Sequence, residues 1–302
     1  MIFPFSKIGN YLKWQLVRWN LDRTVDAYII GYPKVGNTWF QFMMARYVQL
    51  LNNSLDDSSF PQFDSINSWG IRKRWNPDFP RIVFTHNPLC WVGQTAEELT
   101  VERVVGPFRN RKVILLVRNP ADILVSYYWH CREQAAETAE QKYARGIGDF
   151  IRDPIYGIEK LIRFYSIWDA QKSTVKAFTT LRYEDLKMAP AQECARILCF
   201  LNAPVDADKI MSAVKYSDFS NMRKIEIQNR ESRRLCFASG NPIFATGDIK
   251  NTGEAFHVRR GKVGGFRDYL SDDDVEYLAE RLRQGWPESY GYVGGFYQPD
   301  SQ

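Results

Sequence analysis

The stretch AYIIGYPKVGNTWFQFMMARYVQL, Ala27–Leu50, decides how the rest of the chain is interpreted. It begins with an apolar run, Ala27–Ile30, which predicts a short strand. Two glycines and a proline within Gly31–Gly36 then interrupt any regular element. A mostly apolar segment without Gly or Pro follows over Thr38–Leu51 and predicts a buried helix. Strand, glycine loop and helix in this order predict a phosphate-binding loop, where backbone N–H groups and a helix N-terminus face an anion.

The loop differs from the nucleotide-binding pattern GxxxxGK[ST] in the position of its lysine. Gly31 and Gly36 have the required spacing, and Thr38 occupies the hydroxyl position. Asn37 stands where that pattern has Lys, whereas Lys34 lies inside the loop. The loop therefore predicts an anion site whose cation approaches from another side. A strand–turn–helix corner with an incidental lysine is the alternative that the loop alone leaves open.

The composition is that of a globular protein with anionic ligands. The 302 residues are 45% hydrophobic and 25% charged, with a formal net charge of +5. The dispersed basic residues do not favour nucleic-acid binding. The sequence has no apolar run of transmembrane length and no signal-peptide pattern, which predicts a cytoplasmic protein without stable membrane insertion. The cysteines lack metal-ligand spacing and are expected to be free thiols: Cys90, Cys131, Cys194, Cys199 and Cys236.

Two further apolar runs end in polar residues that suit a reaction site. Arg81–Thr85 predicts a strand followed by His86, and Lys112–Val117 predicts a central parallel strand followed by Arg118. Carboxyl ends of parallel strands meet at one edge of a sheet, so both side chains are expected beside the glycine loop. A neutral imidazole can accept a proton near neutral pH, although a structural histidine is the alternative. An arginine where nucleotide hydrolases often have an acidic magnesium ligand favours an anion held without metal.

The rest of the chain predicts one α/β domain with a central parallel sheet flanked by helices. Residues 1–302 form this domain, with a core of about 25–285, a basic N-terminal helix over 1–24 and a tail over 286–302. Residues 157–172, about 190–202 and about 271–284 are expected to be helices, and 174–181 a strand. Residues 52–80 are expected to be a surface loop or lid, and 215–253 are expected to be irregular.

Six segments together resemble the cytosolic-type sulfotransferase family, which uses 3′-phosphoadenosine 5′-phosphosulfate (PAPS). They lie in the family's order between about Tyr28 and Glu276: YPKVGNTW, PRIVFTHNPL, RNPADILVSYY, LRYEDL, SDFSNM and VRRGKVGGF. The resemblance implies the P-loop nucleotide-kinase-like sulfotransferase fold. It also implies transfer of a sulfuryl group from PAPS to a hydroxyl, or to an amine, of a small-molecule acceptor, with 3′-phosphoadenosine 5′-phosphate (PAP) as product and no metal.

The resemblance also implies a role for each matching residue. His86 is the expected base, and Lys34 the expected stabiliser of the leaving phosphate. The 5′-phosphosulfate loop comprises Lys34, Val35, Gly36, Asn37, Thr38 and Trp39. Contacts to the 3′-phosphate are expected from Arg118, Ser126, Arg259, Arg260 and Gly261. The adenine is expected to lie near Trp39, Tyr183, Ser217 and Phe219. A phosphoryl-transfer P-loop kinase and a non-catalytic PAP- or PAPS-binding module are the alternatives.

The sequence departs from the family pattern at several positions. Val35 replaces a Ser and Asn37 replaces a Thr in the loop, while Phe84 stands where many members have a Lys that contacts the donor. Gly265-Phe266 replaces Asp-Trp. The segment Arg267–Glu276 matches the family's dimer segment only weakly, so a homodimer is left open. The acceptor is not identified by any motif.

Overall fold

A parallel sheet organises the chain in a computed structural model that describes residues 25–53, 76–86, 93–134, 143–231 and 260–292. Its order is β2-β1-β3-β4, and all three pairings are parallel. The strands are β1 Ala27–Gly31, β2 Ile82–Thr85, β3 Lys112–Val117 and β4 Ala177–Arg182. β1 is buried along its whole length, as its continuous apolar sequence predicts for a strand covered on both faces.

Helices flank this sheet, which confirms the predicted α/β class. They are α1 Asn37–Leu51, α2 Val101–Val104, α3 Pro120–Trp129, α4 Ile147–Arg152, α5 Ile158–Gln171, α6 Tyr183–Met188, α7 Pro190–Leu201, α8 Ala207–Tyr216, α9 Phe219–Glu231 and α10 Asp272–Gly285. Short helical turns occupy Gly106–Phe108, His130–Gln134, Lys172–Thr174, Gly265–Asp268 and Glu288–Tyr290. In the described ranges, no helix is long and apolar enough to cross a membrane.

The prediction of irregular structure from residue 215 onward is wrong for the part that the structure describes. α8 extends to Tyr216, and α9 occupies Phe219–Glu231. Many charges hide the helical period of α9, yet Met222 and Glu226, one turn apart, are both buried. Strand β4 also starts later than predicted, because Lys172–Thr174 form a helical turn.

The strand register brings the predicted functional segments to one edge of the sheet. Ile30 lies opposite Thr85, and Gly31 lies opposite Leu116. Val117 in turn lies opposite Arg182. The glycine loop, His86, Arg118 and Tyr183 each follow the carboxyl end of a strand, so they converge, as the rule for open α/β sheets predicts.

Several sequence predictions fall outside the described residues. These are the N-terminal helix over 1–24, most of the polar segment 52–80, Arg259, and the tail from residue 293. Cys131, Cys194 and Cys199 form no disulfide bond within the described residues, and both Cys131 and Cys194 are buried. The predicted thiols Cys90 and Cys236 lie outside the described residues.

Candidate active site

The glycine loop joins β1 to α1 through backbone in the left-handed region. Lys34 has a φ of 70° and Gly36 a φ of 113°. A non-glycine residue in this region is uncommon and costs on the order of 1–3 kcal/mol, which marks the loop as a candidate functional segment. α1 begins at Asn37, so the N–H groups of Asn37 and Thr38 have no carbonyl partner within the helix. These amides and the positive end of the helix dipole form an anion-binding terminus.

Val35 belongs to the core side of the loop. Its side chain is fully buried, and its N–H group donates to the Tyr32 carbonyl at 3.3 Å. A Cβ at Gly31 would lie 2.4 Å from Val35 Cγ1, so only a glycine lets the two segments pack this closely. The departure to Val therefore adds packing under the loop, where the family pattern has a hydroxyl.

His86 touches the loop directly, and this contact fixes its tautomer. Its Nδ1 lies 2.9 Å from the Gly31 carbonyl oxygen. A carbonyl can only accept, so Nδ1 carries the proton and Nε2 keeps its lone pair. Burial lowers the pKa of His86 and the Lys34 charge lowers it further, against the opposing effect of the Gly31 hydrogen bond. The imidazole is therefore neutral near pH 7, with an acceptor nitrogen to offer.

Arg118 connects the end of β3 to the loop. Its Nη1 donates to the Lys34 carbonyl at 3.1 Å, and its Nη2 to the Lys262 carbonyl at 3.5 Å. The guanidinium lies 4.3 Å from the centre of the Tyr183 ring. Its buried Nε meets no hydrogen-bond partner among the residues that the structure describes. A planar guanidinium held beside an amide-lined loop is suited to an oxyanion.

Aromatic rings form one wall beside Arg118. The rings of Trp39 and Tyr183 meet edge to face at 5.4 Å, and a Cβ at Gly36 would lie 2.7 Å from Tyr183 Cδ2. The Trp39 indole N–H donates to the Ser217 carbonyl at 2.9 Å. The Ser217 hydroxyl donates to the Val214 carbonyl at 3.1 Å, so this side chain closes the end of α8.

The segment from residue 260 lies across the same opening. Gly261 has a φ of 59°, and a Cβ there would lie 2.8 Å from Phe219 Cδ2. The Arg260 guanidinium pairs with Asp268 at 2.8 Å. Ser126 lies on α3, partly buried. These contacts link the glycine loop with His86, Arg118, Trp39 and Tyr183, and they link Gly261 with Phe219, whereas Arg260 pairs with Asp268.

Two buried carboxylates that the sequence patterns did not single out hold this arrangement in place. Asp122 on α3 accepts hydrogen bonds from Gly264 N–H at 2.8 Å and from Phe266 N–H at 2.9 Å. Glu184, next to Tyr183, accepts from Asn119 N–H at 2.9 Å and from the Tyr292 hydroxyl. Burial raises the pKa of Glu184. The only sequence signal for Asp122 is an acidic residue in the first turn of a helix, and that position also fits a favourable interaction with the helix dipole.

Comparison with known proteins gives one consistent family. The family model of the sulfotransferase domain matches residues 24–288. Cytosolic sulfotransferase 10 of Arabidopsis thaliana is 22% identical over 273 residues, which cover 84% of this chain and 75% of the relative. Sulfotransferase 1E1 of Mus musculus is 22% identical over 281 residues, which cover 90% of this chain and 86% of the relative.

Solved structures agree in fold. Mouse sulfotransferase SULT7A1 complexed with PAP superposes with a TM-score of 0.58 at 19% identity, covering 92% of this chain and 90% of that chain. Retinol dehydratase in complex with androsterone and PAP gives a TM-score of 0.56 at 16% identity, covering 90% and 85%. Because the family match spans most of the chain, the protein belongs to the sulfotransferase domain family, the enzymes that take a sulfuryl group from PAPS.

Proposed function

We propose that the protein transfers the sulfuryl group of PAPS to a hydroxyl of a small-molecule acceptor, with an amine as the second acceptor class. The observation that carries this proposal is the contact between His86 and the loop. A neutral imidazole whose Nε2 carries no proton stands beside a lysine and the open N-terminus of α1. A base and an oxyanion site in contact fit a reaction that removes a proton and develops negative charge on a leaving oxygen.

The described residues fit the donor. Trp39 and Tyr183 offer aromatic surface to an adenine, and the loop amides and Lys34 face its 5′ end. The Arg118 guanidinium suits the 3′-phosphate, with Ser126, Gly261 and, outside the described residues, Arg259 as its further proposed contacts. When bound, the donor supplies the sulfuryl group and a phosphate leaving group.

His86 acts as the general base. Its Nε2 receives the acceptor proton as attack on sulfur proceeds, while its Nδ1–H bond to the Gly31 carbonyl keeps the ring in orientation. A positioned base contributes about 10²–10⁴-fold to a rate. The lowered pKa keeps the ring deprotonated before the reaction starts.

Lys34 and the amides of the first turn of α1 stabilise the leaving phosphate. The bond between sulfur and the bridging oxygen breaks, and the electron pair remains on that oxygen. Fixed N–H groups and an ammonium group aimed at this position lower the barrier without reorganisation.

Lys34→Ala tests this role. We expect turnover to fall about 10²-fold or more, the usual loss for one oxyanion donor. Lys176→Ala, at an exposed position away from the loop, is the matched control. An unchanged turnover in the Lys34 variant contradicts the role.

An acceptor screen with ³⁵S-labelled PAPS tests the overall function. The panel contains phenols, aliphatic alcohols and amines, and each reaction is run with EDTA and in parallel with γ-labelled ATP and magnesium. We expect label transfer from PAPS in EDTA and none from ATP. Transfer from ATP alone supports a kinase, whereas nucleotide binding without transfer to any acceptor supports a binding module.

A further inference from the structure

The Asn37 side chain points toward His86, the proposed general base, and away from the opening of the glycine loop. The residue is buried, and its amide nitrogen as placed lies 3.1 Å from His86 Nδ1 and 3.5 Å from the Thr85 carbonyl oxygen. Its Oδ1 is buried and meets no hydrogen-bond partner within the described residues. The family pattern has a Thr here, whose hydroxyl lies one carbon closer to the backbone than the Asn37 amide and does not reach the imidazole in the same way.

The hydrogen-bond inventory around Nδ1 selects one orientation of the amide. The Gly31 carbonyl, at 2.9 Å, requires a proton on Nδ1. With that proton in place, an amide N–H₂ group at 3.1 Å would set two donors face to face. The oxygen and nitrogen of an asparagine amide exchange positions by a half-turn of the group, and the network decides between them. After this half-turn, Oδ1 accepts from Nδ1–H at 3.1 Å. The amide nitrogen then takes the position that has no partner within the described residues and gives up only the long, 3.5 Å contact with the Thr85 carbonyl.

We propose that Asn37 is a positioning residue whose Oδ1 shares the Nδ1–H proton of His86 with the Gly31 carbonyl. This inference rests on the proposed function of His86 as the base. Two hydrogen-bond acceptors on one side of the ring fix the tautomer and direct Nε2 toward the molecule that receives the sulfuryl group. They also stabilise the imidazolium that forms when Nε2 takes up the proton, as the third group does in a catalytic triad.

The charges around His86 favour an uncharged hydrogen-bond acceptor at position 37. Burial lowers the pKa of His86, and the charge of Lys34, from the same loop, lowers it further. A carboxylate in place of the Asn37 amide would oppose this effect and leave His86 protonated to a higher pH. An amide orients the ring while leaving it neutral.

Two substitutions test the proposal. Asn37→Leu removes both polar atoms at similar volume, and we expect kcat to fall about 10-fold, the size of one hydrogen bond. Asn37→Asp retains an acceptor but adds a charge, so the acid limb of kcat against pH shifts upward by about 1–3 units. Saturating donor is used, because the added charge also opposes an anionic ligand. The circular-dichroism spectrum of the Leu variant serves as the folding control and is expected to match that of wild type.

A measurement without turnover separates this inference from the proposed function. ¹⁵N chemical shifts of the His86 ring in the wild-type protein report which nitrogen is protonated. We expect the Nδ1–H form in both wild type and Asn37→Leu, because the Gly31 carbonyl remains, but a different Nδ1 shift in the variant, which has lost one of the two acceptors. An Nε2–H form in wild type, an unchanged Nδ1 shift in Asn37→Leu, or identical acid limbs in the Leu and Asp variants overturns the inference. If the tautomer is as expected but His86→Ala keeps full turnover, the base assignment fails while the Asn37 contact stands.

Discussion

At the scale of single residues, the site depends on contacts that direct polar atoms to one point. The Gly31 carbonyl fixes the proton of His86, and the Arg118 guanidinium fixes the Lys34 carbonyl. The positions of the glycine loop, His86 and Arg118 could be predicted from the sequence, because each of them follows an apolar strand. The left-handed backbone of Lys34 and the inward turn of Asn37 could not, since both depend on packing between segments that are distant in sequence.

The pH dependence of the reaction follows from His86. Its pKa lies below the ordinary value of about 6.5, and only its neutral form accepts a proton. We therefore expect kcat/KM to rise with pH through a limb below about 6.5 and to be flat from there to neutral pH. A pH profile at constant ionic strength measures this limb. A limb above pH 7 is incompatible with the buried, neutral imidazole.

At the scale of secondary-structure elements, α3 carries more of the site than its sequence indicates. Asn119 caps the helix by accepting from Ala121 N–H at 3.0 Å and Asp122 N–H at 3.3 Å. Asp122 then fastens the segment that contains Gly264 and Phe266. The partners of a buried carboxylate are set by the fold and leave no pattern in the sequence.

Asp122→Asn tests this fastening. The amide oxygen can accept from one backbone N–H, but the amide N–H₂ group faces the other donor, so the segment carrying Gly261 is released. We expect PAP affinity to fall about 10-fold or more, from a charge-assisted bond worth about 1.5–3 kcal/mol. Calorimetric titration measures the change, and the exposed Asp149→Asn, on α4, is the control. Equal affinity of the Asp122 variant and wild type would show that the segment is held by other contacts.

At the scale of the whole molecule, a hydrogen bond joins the last described residues to the helix that follows strand β4. Tyr292 donates to the buried Glu184, which also accepts from Asn119 at 2.9 Å. The parallel sheet was predictable from its apolar strands. Helix α9 was missed because charged residues hide its period, and α8 lies largely in a stretch for which no element was predicted. The Tyr292 contact joins positions 108 residues apart.

Tyr292→Phe tests this connection. The substitution retains the ring but leaves the buried Glu184 with one donor fewer, which costs about 1–3 kcal/mol. We expect a lower free energy of unfolding in urea and a lower Tm. Tyr277→Phe, at a half-buried position on α10, is the matched control and is expected to change little. Equal losses in both variants would assign the effect to the hydroxyl in general and not to Glu184.

The central claim is that His86 removes the acceptor proton at a site whose nucleotide contacts do not depend on it. The most direct test measures the single-turnover rate of ³⁵S transfer and the calorimetric Kd for PAP in wild type and His86→Ala. We expect the rate to fall about 10²–10⁴-fold, while the Kd stays within about threefold. A wild-type rate in the variant would contradict the claim.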